Sequence, residues 1–277
     1  MSAAEVSKAS PSRRASRAVF FEGVLLCLAI LIALHGARKP ELGDSANSRL
    51  ATVWSLVHDG TWRLNPPGAA LRNPFAAGTV DVVELDGARY STKPPVLPLA
   101  MTAEYALLHR WLGWDLSDEQ GRRDAVFVMV VTLSVLPYAV GLLCFRNTLV
   151  LLGLAPGPRL FLLAALAFGT QVPGFATNIN NHVPAVGFTL AALYLAVGLY
   201  TGQLAPRPWR FALFGLAAAG VFTLDIPMTI YPGLAGLALL VRYPWKAFLW
   251  GGLGALPLVA LHFGAMWSVT GSLLPIQ

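Results

Sequence analysis

Long apolar segments constrain the fold of this chain more than any other feature of its sequence. A helix needs about 20 apolar residues to cross the roughly 30 Å hydrocarbon core of a bilayer. Segments that reach or approach this length lie at 18–35, 125–145, 159–176, 184–200, 211–224, 226–241 and 247–267. Only 12% of the 277 residues are charged, and the mean hydropathy is +0.60, which excludes an ordinary soluble domain. We therefore predict an all-α polytopic membrane protein with about seven transmembrane helices.

The distribution of basic residues predicts the orientation of these helices. Arginine and lysine occur in the N-terminal tail (1–17) and in the connections at 146–159, 203–210 and 242–246, whereas the connection at 177–182 has neither. Short cytoplasmic loops favour basic residues, so we place the tail and these three connections in the cytoplasm. The basic residues occur in short clusters between apolar segments, as in cytoplasmic membrane loops. This distribution argues against nucleic-acid binding, despite a net charge of +6. We expect a bacterial inner membrane as the location.

The segment 94–112 is the one apolar run that we do not expect to cross the membrane. If it crossed, all three basic connections would lie on the side opposite the basic tail. Glu104 lies in its middle, and Thr102, Tyr105 and His109 form a polar stripe along one helical face. We predict a juxtamembrane helix in a large external loop at 36–124. The remaining residues, 125–277, are predicted to form the helix bundle, within one transmembrane domain at 18–277.

The external loop contains local signals for its own structure. Asp44 is placed as an N-cap before a predicted helix at 45–58, whose apolar face is expected to rest on the membrane. Asp86-Gly87 lies between two β-prone runs, which predicts a hairpin. Pro94-Pro95 is expected to occupy the first turn of the following helix.

The predicted topology collects polar residues at the external face. The candidates are Asp44, Arg49, Arg89, Tyr90, Lys93, Asn181, His182 and Asp225. Carboxylates beside cations near lipid suit an anionic, membrane-anchored substrate such as a lipid phosphate. Most of these residues also have a structural interpretation: a helix cap for Asp44, an interfacial side chain for Lys93, a solvated helix face for Arg49, a loop contact for His182, and a turn for Asn181 and for Asp225.

The order of these motifs resembles a known family. "GDSANSRLATVWSLVHDGTWRL" followed by "YSTKPPVLPL" is similar to the first external loop of C-fold glycosyltransferases, nearest to the protein O-mannosyltransferase and aminoarabinose transferase group. The matching positions are Asp44, Arg49, the stretch 60–62, Tyr90 and Lys93-Pro94-Pro95. The resemblance covers about 18–200 and is weaker at 201–277.

The resemblance implies a polyprenyl-phosphate-linked sugar as donor and an acceptor that is a protein, lipid or glycan. Transfer would invert the anomeric carbon in a single displacement, outside the cytoplasm. Asp44 is expected to act as the base or to bind a divalent metal, and His182 to bind a divalent ion or the phosphate. Lys93 is expected to bind the phosphate, helped by Arg49 or Arg89.

Two departures from the family pattern leave alternatives open. The second external loop offers Asn181 and His182 in "TNINNHVP", where the family commonly has an acidic residue. Family members are also longer, so we expect this chain to be the N-terminal part of such a protein. The alternatives are a non-catalytic transporter or scaffold for lipid-linked intermediates, and another lipid-phosphate-dependent transferase or ligase.

Overall fold

A computed structural model describes residues 11–65 and 73–273, with side chains from Arg17 onward at the N-terminal end. Most of the predicted tail at 1–17 therefore lies outside the described residues. The helices are α1 (Pro11–Gly36), α2 (Asp44–His58), α3 (Val96–Leu112), α4 (Glu119–Leu151), α5 (Pro156–Phe168), α6 (Val172–Phe175), α7 (His182–Tyr200), α8 (Pro208–Leu224), α9 (Ile226–Arg242) and α10 (Pro244–Thr270), and the strands are β1 (Val82–Leu85) and β2 (Ala88–Ser91).

Within the described ranges, four helices are long and apolar enough to cross a membrane, namely α4, α7, α10 and the part of α1 from Arg17. The apolar helices α5, α8 and α9 are shorter. The all-α membrane architecture therefore agrees with the prediction, whereas seven spans are not confirmed. The predicted span at 159–176 is wrong in its second half, because α5 ends at Phe168. At 1.5 Å per residue, α5 is only about 20 Å long.

A buried ionic network fixes one end of the helix bundle. Glu22 of α1 is almost completely buried, and its carboxylate accepts hydrogen bonds from Nε of Arg146 in α4, at 2.9 Å, and from Nε of Arg159 in α5. At the same end, Nε2 of Gln203 donates to the carbonyl oxygen of Leu151 at 2.6 Å. The connections that follow α4 and α7 therefore lie at the same end as Glu22.

The chain between α1 and α4 lies at the opposite end. Because α4 is about 50 Å long, its start at Glu119 is far from Arg146 near its other terminus. The backbone N–H of Glu41, just after α1, donates to Oδ1 of Asn178 in the loop before α7, at 2.8 Å. Residues 37–118 thus leave and rejoin the bundle at one end, as the external-loop prediction requires.

The predicted hairpin is confirmed. Strands β1 and β2 are antiparallel, and Leu85 pairs with Ala88 across a two-residue turn. Asp86 and Gly87 both have positive φ angles, 52° and 72°, which is the backbone of a type I′ turn. The strand pairing extends one residue beyond Val82 and Ser91, because the N–H of Thr92 donates to the carbonyl oxygen of Asp81 at 3.2 Å.

The helices α2 and α3, between α1 and α4, pack inside the protein. Leu50 and Val53 of α2 are fully buried in one apolar cluster with Met101 and Tyr105 of α3. The expectation that this face of α2 rests on the membrane is therefore wrong, because neighbouring helices cover it. Gly43, and not Asp44, is the N-cap of α2, so the Asp44 carboxylate lies in the first turn, where the helix dipole favours negative charge.

The start of α3 also differs slightly from the prediction. Pro95 is its N-cap, and the first helical residue is Val96. The carbonyl oxygen of Pro95 accepts the N–H of Leu99 at 3.0 Å. Pro94-Pro95 therefore precedes the first turn, where the missing N–H groups leave no helical hydrogen bond unmade.

Candidate functional site

The polar face of α2 is pinned to the base of the hairpin. Oγ of Ser45 donates to Oδ2 of Asp81 at 2.7 Å, and Oγ of Ser48 donates to the carbonyl oxygen of Asp81 at 2.7 Å. Ser48 also lies 2.6 Å from Oγ of Ser91 in β2. Residues three apart share a helix face, so this spacing presents both serines to one strand. The hairpin is thereby held at a fixed position against α2.

Lys93 forms an ion pair at this position. Its Nζ lies 2.7 Å from Oδ2 of Asp81. The hydrogen bond from Lys93 is the main cause that lowers the pKa of Asp81; burial opposes it, and Ser45 and Arg49 add to the lowering. Asp81 was not among the predicted site residues. The Asp86-Gly87 turn could have revealed it, since that register places Asp81 opposite Thr92, next to Lys93.

Arg49 is buried, contrary to the expectation of a solvated helix face. Its Nη1 donates to the carbonyl oxygen of Ser45 at 2.9 Å, and its Nη2 donates to Oδ1 of Asn181 at 2.6 Å. Nδ2 of Asn181 in turn donates to the carbonyl oxygen of Leu224 at 2.9 Å. Burial lowers the pKa of Arg49 to about 10, and the charge of Asp81 partly offsets this. The predicted residues Arg49 and Asn181 therefore join α2, α7 and α8.

His182 and Asp225 form a second pair beside this junction. Nδ1 of His182 lies 2.7 Å from Oδ2 of Asp225. The Asp225 side chain is 11% exposed and that of His182 is 57% exposed. Because a carboxylate oxygen accepts, Nδ1 carries the proton, and Nε2 of a neutral His182 ring is left with a lone pair. The turn prediction for Asp225 is confirmed, since it separates α8 from α9.

Three predicted site residues, Asp44, Arg89 and Tyr90, are not joined to these pairs. The hydroxyl of Tyr90 accepts a hydrogen bond from Nε of Arg63 at 3.3 Å. The Asp44 carboxylate is exposed and has no hydrogen-bond or ion-pair partner within residues 11–65 and 73–273; only its carbonyl oxygen is bound, by Thr79 at 2.9 Å. Arg89 binds Asn65 through its backbone N–H at 2.6 Å. Its guanidinium likewise has no partner in the described part of the chain.

A cavity of about 80 Å³ lies next to Lys93. Its lining combines Trp62 and the segment 90–95, which belong to the motifs that resemble the glycosyltransferase loop, with residues on one face of α10. Its lining residues include Trp62, Tyr90, Lys93, Pro94, Pro95 and His262. The lining is mostly apolar, and Lys93 is its basic residue.

His262 is a residue that the sequence interpretation missed. It lies in α10, it is 5% exposed, and its Nδ1 has no hydrogen-bond partner among the described residues. The rings of Phe222 and Phe263 flank it, with centroids at 5.5 Å and 5.4 Å. An ionisable residue inside a predicted membrane span is itself a signal of function, and this signal was present at 247–267.

The expected metal ligands are Asp44 and His182, and His182 is paired with Asp225. Within the described ranges, neither residue belongs to a group of three or more metal-ligating side chains close enough to share one ion. The chemistry below is therefore derived from the side chains alone.

Comparison of the chain with protein-family models, curated proteins and solved structures gives no match. The resemblance to C-fold glycosyltransferases thus remains an expectation from the sequence. The geometry of the site carries the functional argument.

Proposed function

We propose that this chain is a membrane glycosyltransferase, which transfers a sugar from a polyprenyl-phosphate carrier to an acceptor outside the cytoplasm. The observation that carries the proposal is the cavity that Lys93 shares with Trp62, Tyr90 and His262. A polyprenyl phosphate has an apolar chain and an anionic head. The cavity of about 80 Å³ is smaller than the roughly 300–1,000 Å³ of small-molecule sites, so we assign to it only the phosphate head beside Lys93, with the apolar chain in the surrounding membrane.

The charges around Lys93 favour an anion. Lys93 and the buried Arg49 supply two positive charges, while Asp81 supplies one negative charge between them. These three charges sum to +1, and the carboxylate of Asp44, the proposed base, lowers the sum to zero, so the attraction for a phosphate comes from Lys93 at short range. Asp81 also holds the Lys93 side chain in place before the donor binds, which reduces the entropy lost on binding.

The transfer step needs a base and a neutralised leaving group. The acceptor oxygen forms a bond to the anomeric carbon while the bond from that carbon to the phosphate oxygen breaks. The acceptor proton passes to the Asp44 carboxylate, which has no partner in the described structure and is free to receive it. Polyprenyl phosphate leaves with its charge balanced by Lys93, and the anomeric configuration inverts.

His182 is proposed to position the acceptor. Asp225 holds the Nδ1 proton of His182, so Nε2 on the exposed ring can accept a hydrogen bond from the acceptor hydroxyl. Asp225 then acts through His182, as a positioning residue. Asn181 precedes His182 by one position and accepts a hydrogen bond from Arg49, which fixes the start of α7 relative to α2.

We place the proposed site on the non-cytoplasmic side of the bacterial inner membrane. The basis is the collection of Arg146 and Arg159 around Glu22, at the end of the bundle opposite to the external loop. Basic connections favour the cytoplasm, so the loop that contains Lys93 is placed on the other side.

The experiment uses the purified full chain in liposomes that contain polyprenyl-phosphate sugars, tested one sugar at a time. Release of free polyprenyl phosphate, measured by mass spectrometry in the presence of an acceptor extract, is the expected result. Asp44→Asn should abolish release while donor binding remains. Binding without release in the wild type would instead support a transporter or scaffold.

A further inference from the structure

The C-terminal ends of α2 and α3 bring together three side chains that the proposed function does not use. His58 ends α2, His109 lies in the last turn of α3, and Asp115 follows in the connection to α4. Each offers one metal-ligating atom, and the three atoms lie within 4.8 Å of one another. The two imidazole rings pack edge to face, with centroids 5.2 Å apart.

Neighbouring groups orient the His109 ring. Its Nδ1 lies 2.8 Å from the carbonyl oxygen of Trp114, which can only accept, so Nδ1 carries the proton. The lone pair of a neutral His109 is therefore on Nε2. A histidine that donates one ring N–H to a backbone carbonyl and offers the other nitrogen is the usual arrangement at protein metal sites.

His58 is held from two sides. Its ring stacks on the indole of Trp54, with centroids 4.7 Å apart, and its Nε2 lies 3.0 Å from the hydroxyl of the buried Tyr105. That hydroxyl also accepts the N–H of Leu116 at 3.1 Å, which fixes its position. Nδ1 of His58 has no hydrogen-bond partner in the described part of the chain and is available as a ligand.

Asp115 completes the set with an oxygen ligand. Its Oδ1 accepts the N–H of Ser117 at 2.7 Å, and Oγ of Ser117 accepts the indole N–H of Trp54 at 3.1 Å. A carboxylate has lone pairs beyond those that Ser117 uses. The same Trp54 thus supports His58 by stacking and Asp115 through Ser117.

We propose that His58, His109 and Asp115 bind one divalent transition-metal ion, with zinc as the preferred ion. Two imidazoles and one carboxylate are ligands that zinc takes in proteins, and three protein ligands leave one position for water. Zinc ligands lie about 2.0–2.2 Å from the ion and so about 3.4 Å from each other. Small side-chain rotations close the difference from the present separation.

The bound ion ties three parts of the external loop together. It connects the end of α2, the end of α3 and the segment that leads into α4. The site does not depend on the proposed glycosyl transfer, so its test is independent of that function.

The test measures metal content and affinity on the full chain in detergent, purified with an affinity tag that contains no histidine. The protein is treated with a chelator, reloaded with zinc and desalted, and its metal is counted by mass spectrometry. We expect about one ion per chain, as for a single three-ligand site. His109→Ala and Asp115→Asn should each weaken binding in a competition titration by at least the roughly 10- to 100-fold typical of outer-shell changes.

Matched controls keep the result interpretable. His35→Ala and Asp86→Asn change the same residue types outside the cluster and should retain the ion. Addition of zinc should raise the unfolding temperature of the wild type and of both controls, but not of the cluster variants. The proposal is overturned if the wild type retains no zinc at micromolar protein concentration, or if the cluster variants bind it as tightly as the controls.

Discussion

Nζ of Lys93 lies 2.7 Å from Oδ2 of Asp81, at the point where the hairpin of the external loop meets α2. The ion pair joins the two ends of the hairpin, because Asp81 directly precedes β1 and Lys93 follows β2 by two positions. Lys93 also lines the mostly apolar cavity, and its side chain is only 19% exposed. This position turns a residue that could have been an interfacial side chain into a candidate phosphate ligand.

The first prediction concerns the pH dependence of stability through Asp81. The hydrogen bond from Lys93 lowers the pKa of Asp81 from 3.8. A carboxyl group with a depressed pKa in the folded state stabilises that state above its unfolded pKa, and the contribution is lost as the pH falls through the folded value. We expect Asp81→Asn to lower the unfolding temperature near neutral pH, and the difference from wild type to shrink below pH 3.8. Fluorescence-detected unfolding in detergent measures both.

Asp86→Asn is the matched control for this measurement. Asp86 lies in the exposed hairpin turn, where asparagine is equally suited to a positive φ angle, so wild-type behaviour is expected. A difference between wild type and Asp81→Asn that stays constant down to strongly acidic pH would contradict the role of the ion pair.

The second prediction concerns the buried contact between Arg49 and Asn181. Arg49→Met removes charged hydrogen bonds to Ser45 and Asn181 and leaves the Asn181 oxygen unpaired. We expect the free energy of unfolding to fall by about 1.5–3 kcal/mol, the range for hydrogen bonds to charged groups. Denaturant titration of the purified protein provides the measurement.

Two further variants locate this effect. Arg110→Met, on the exposed side of α3, should change the free energy of unfolding by no more than about 0.5 kcal/mol. The double variant Arg49→Met, Asn181→Ala should lose less unfolding free energy than the sum of the losses in the two single variants, because both single changes remove the same contact. Strict additivity, or a more stable Arg49→Met, would mean that burying the guanidinium outweighs its bonds.

The third prediction separates the proposed roles of Asp44 and His182. Loss of a general base lowers turnover by about 10²- to 10⁴-fold, so Asp44→Asn should lower kcat in that range with little change in donor binding. His182→Ala and Asp225→Asn should mainly raise the KM of the acceptor, and the double variant should resemble either single one, since the two residues form one unit. Steady-state kinetics with varied acceptor concentration test this. An active Asp44→Asn beside an inactive His182→Ala would assign the base to His182.

The fourth prediction concerns orientation in the membrane. In a background of Cys27→Ser and Cys144→Ser, we introduce Glu84→Cys in the hairpin or Arg207→Cys in the connection before α8. An impermeant thiol reagent added to intact cells should label the first variant and spare the second until the cells are opened. Labelling of both variants, or the reverse order, would contradict the external placement of Lys93.

Features governed by local chemistry could be predicted from the sequence. The hairpin follows from Asp86-Gly87, because positive φ angles at both turn positions select these residues. The long helices α4 and α7 follow from their apolar content. The early end of α5 was open to prediction, because Gly169-Thr170-Gln171 interrupts the apolar run and Pro173-Gly174 follows it. Oγ1 of Thr170 accepts the N–H of Val172 in this turn.

Contacts between distant segments could not be predicted in this way. Arg49 and Asn181 are 132 positions apart, and a polar helix face gives no sign that another helix will cover it. The membrane-facing prediction for α2 failed for the same reason, since an apolar face looks alike whether lipid or α3 covers it. His182 and Asp225 were both candidates, but their pairing depends on how α7 and α8 pack.

The decisive measurement compares donor cleavage by the wild type, Lys93→Ala and the double variant Asp81→Asn, Lys93→Ala in liposomes that contain a polyprenyl-phosphate sugar, with the acceptor extract present. Loss of one charged hydrogen bond of about 1.5–3 kcal/mol corresponds to a roughly 10- to 100-fold weaker donor interaction. Lys93→Ala should lose at least that much, because it also leaves the Asp81 carboxylate facing the phosphate, and the double variant should recover part of the loss. Lys39→Ala, outside the cavity, should keep wild-type activity. If no sugar donor is cleaved by the wild type, or if Lys93→Ala releases polyprenyl phosphate as fast as the wild type, the proposed glycosyl transfer at this site is wrong.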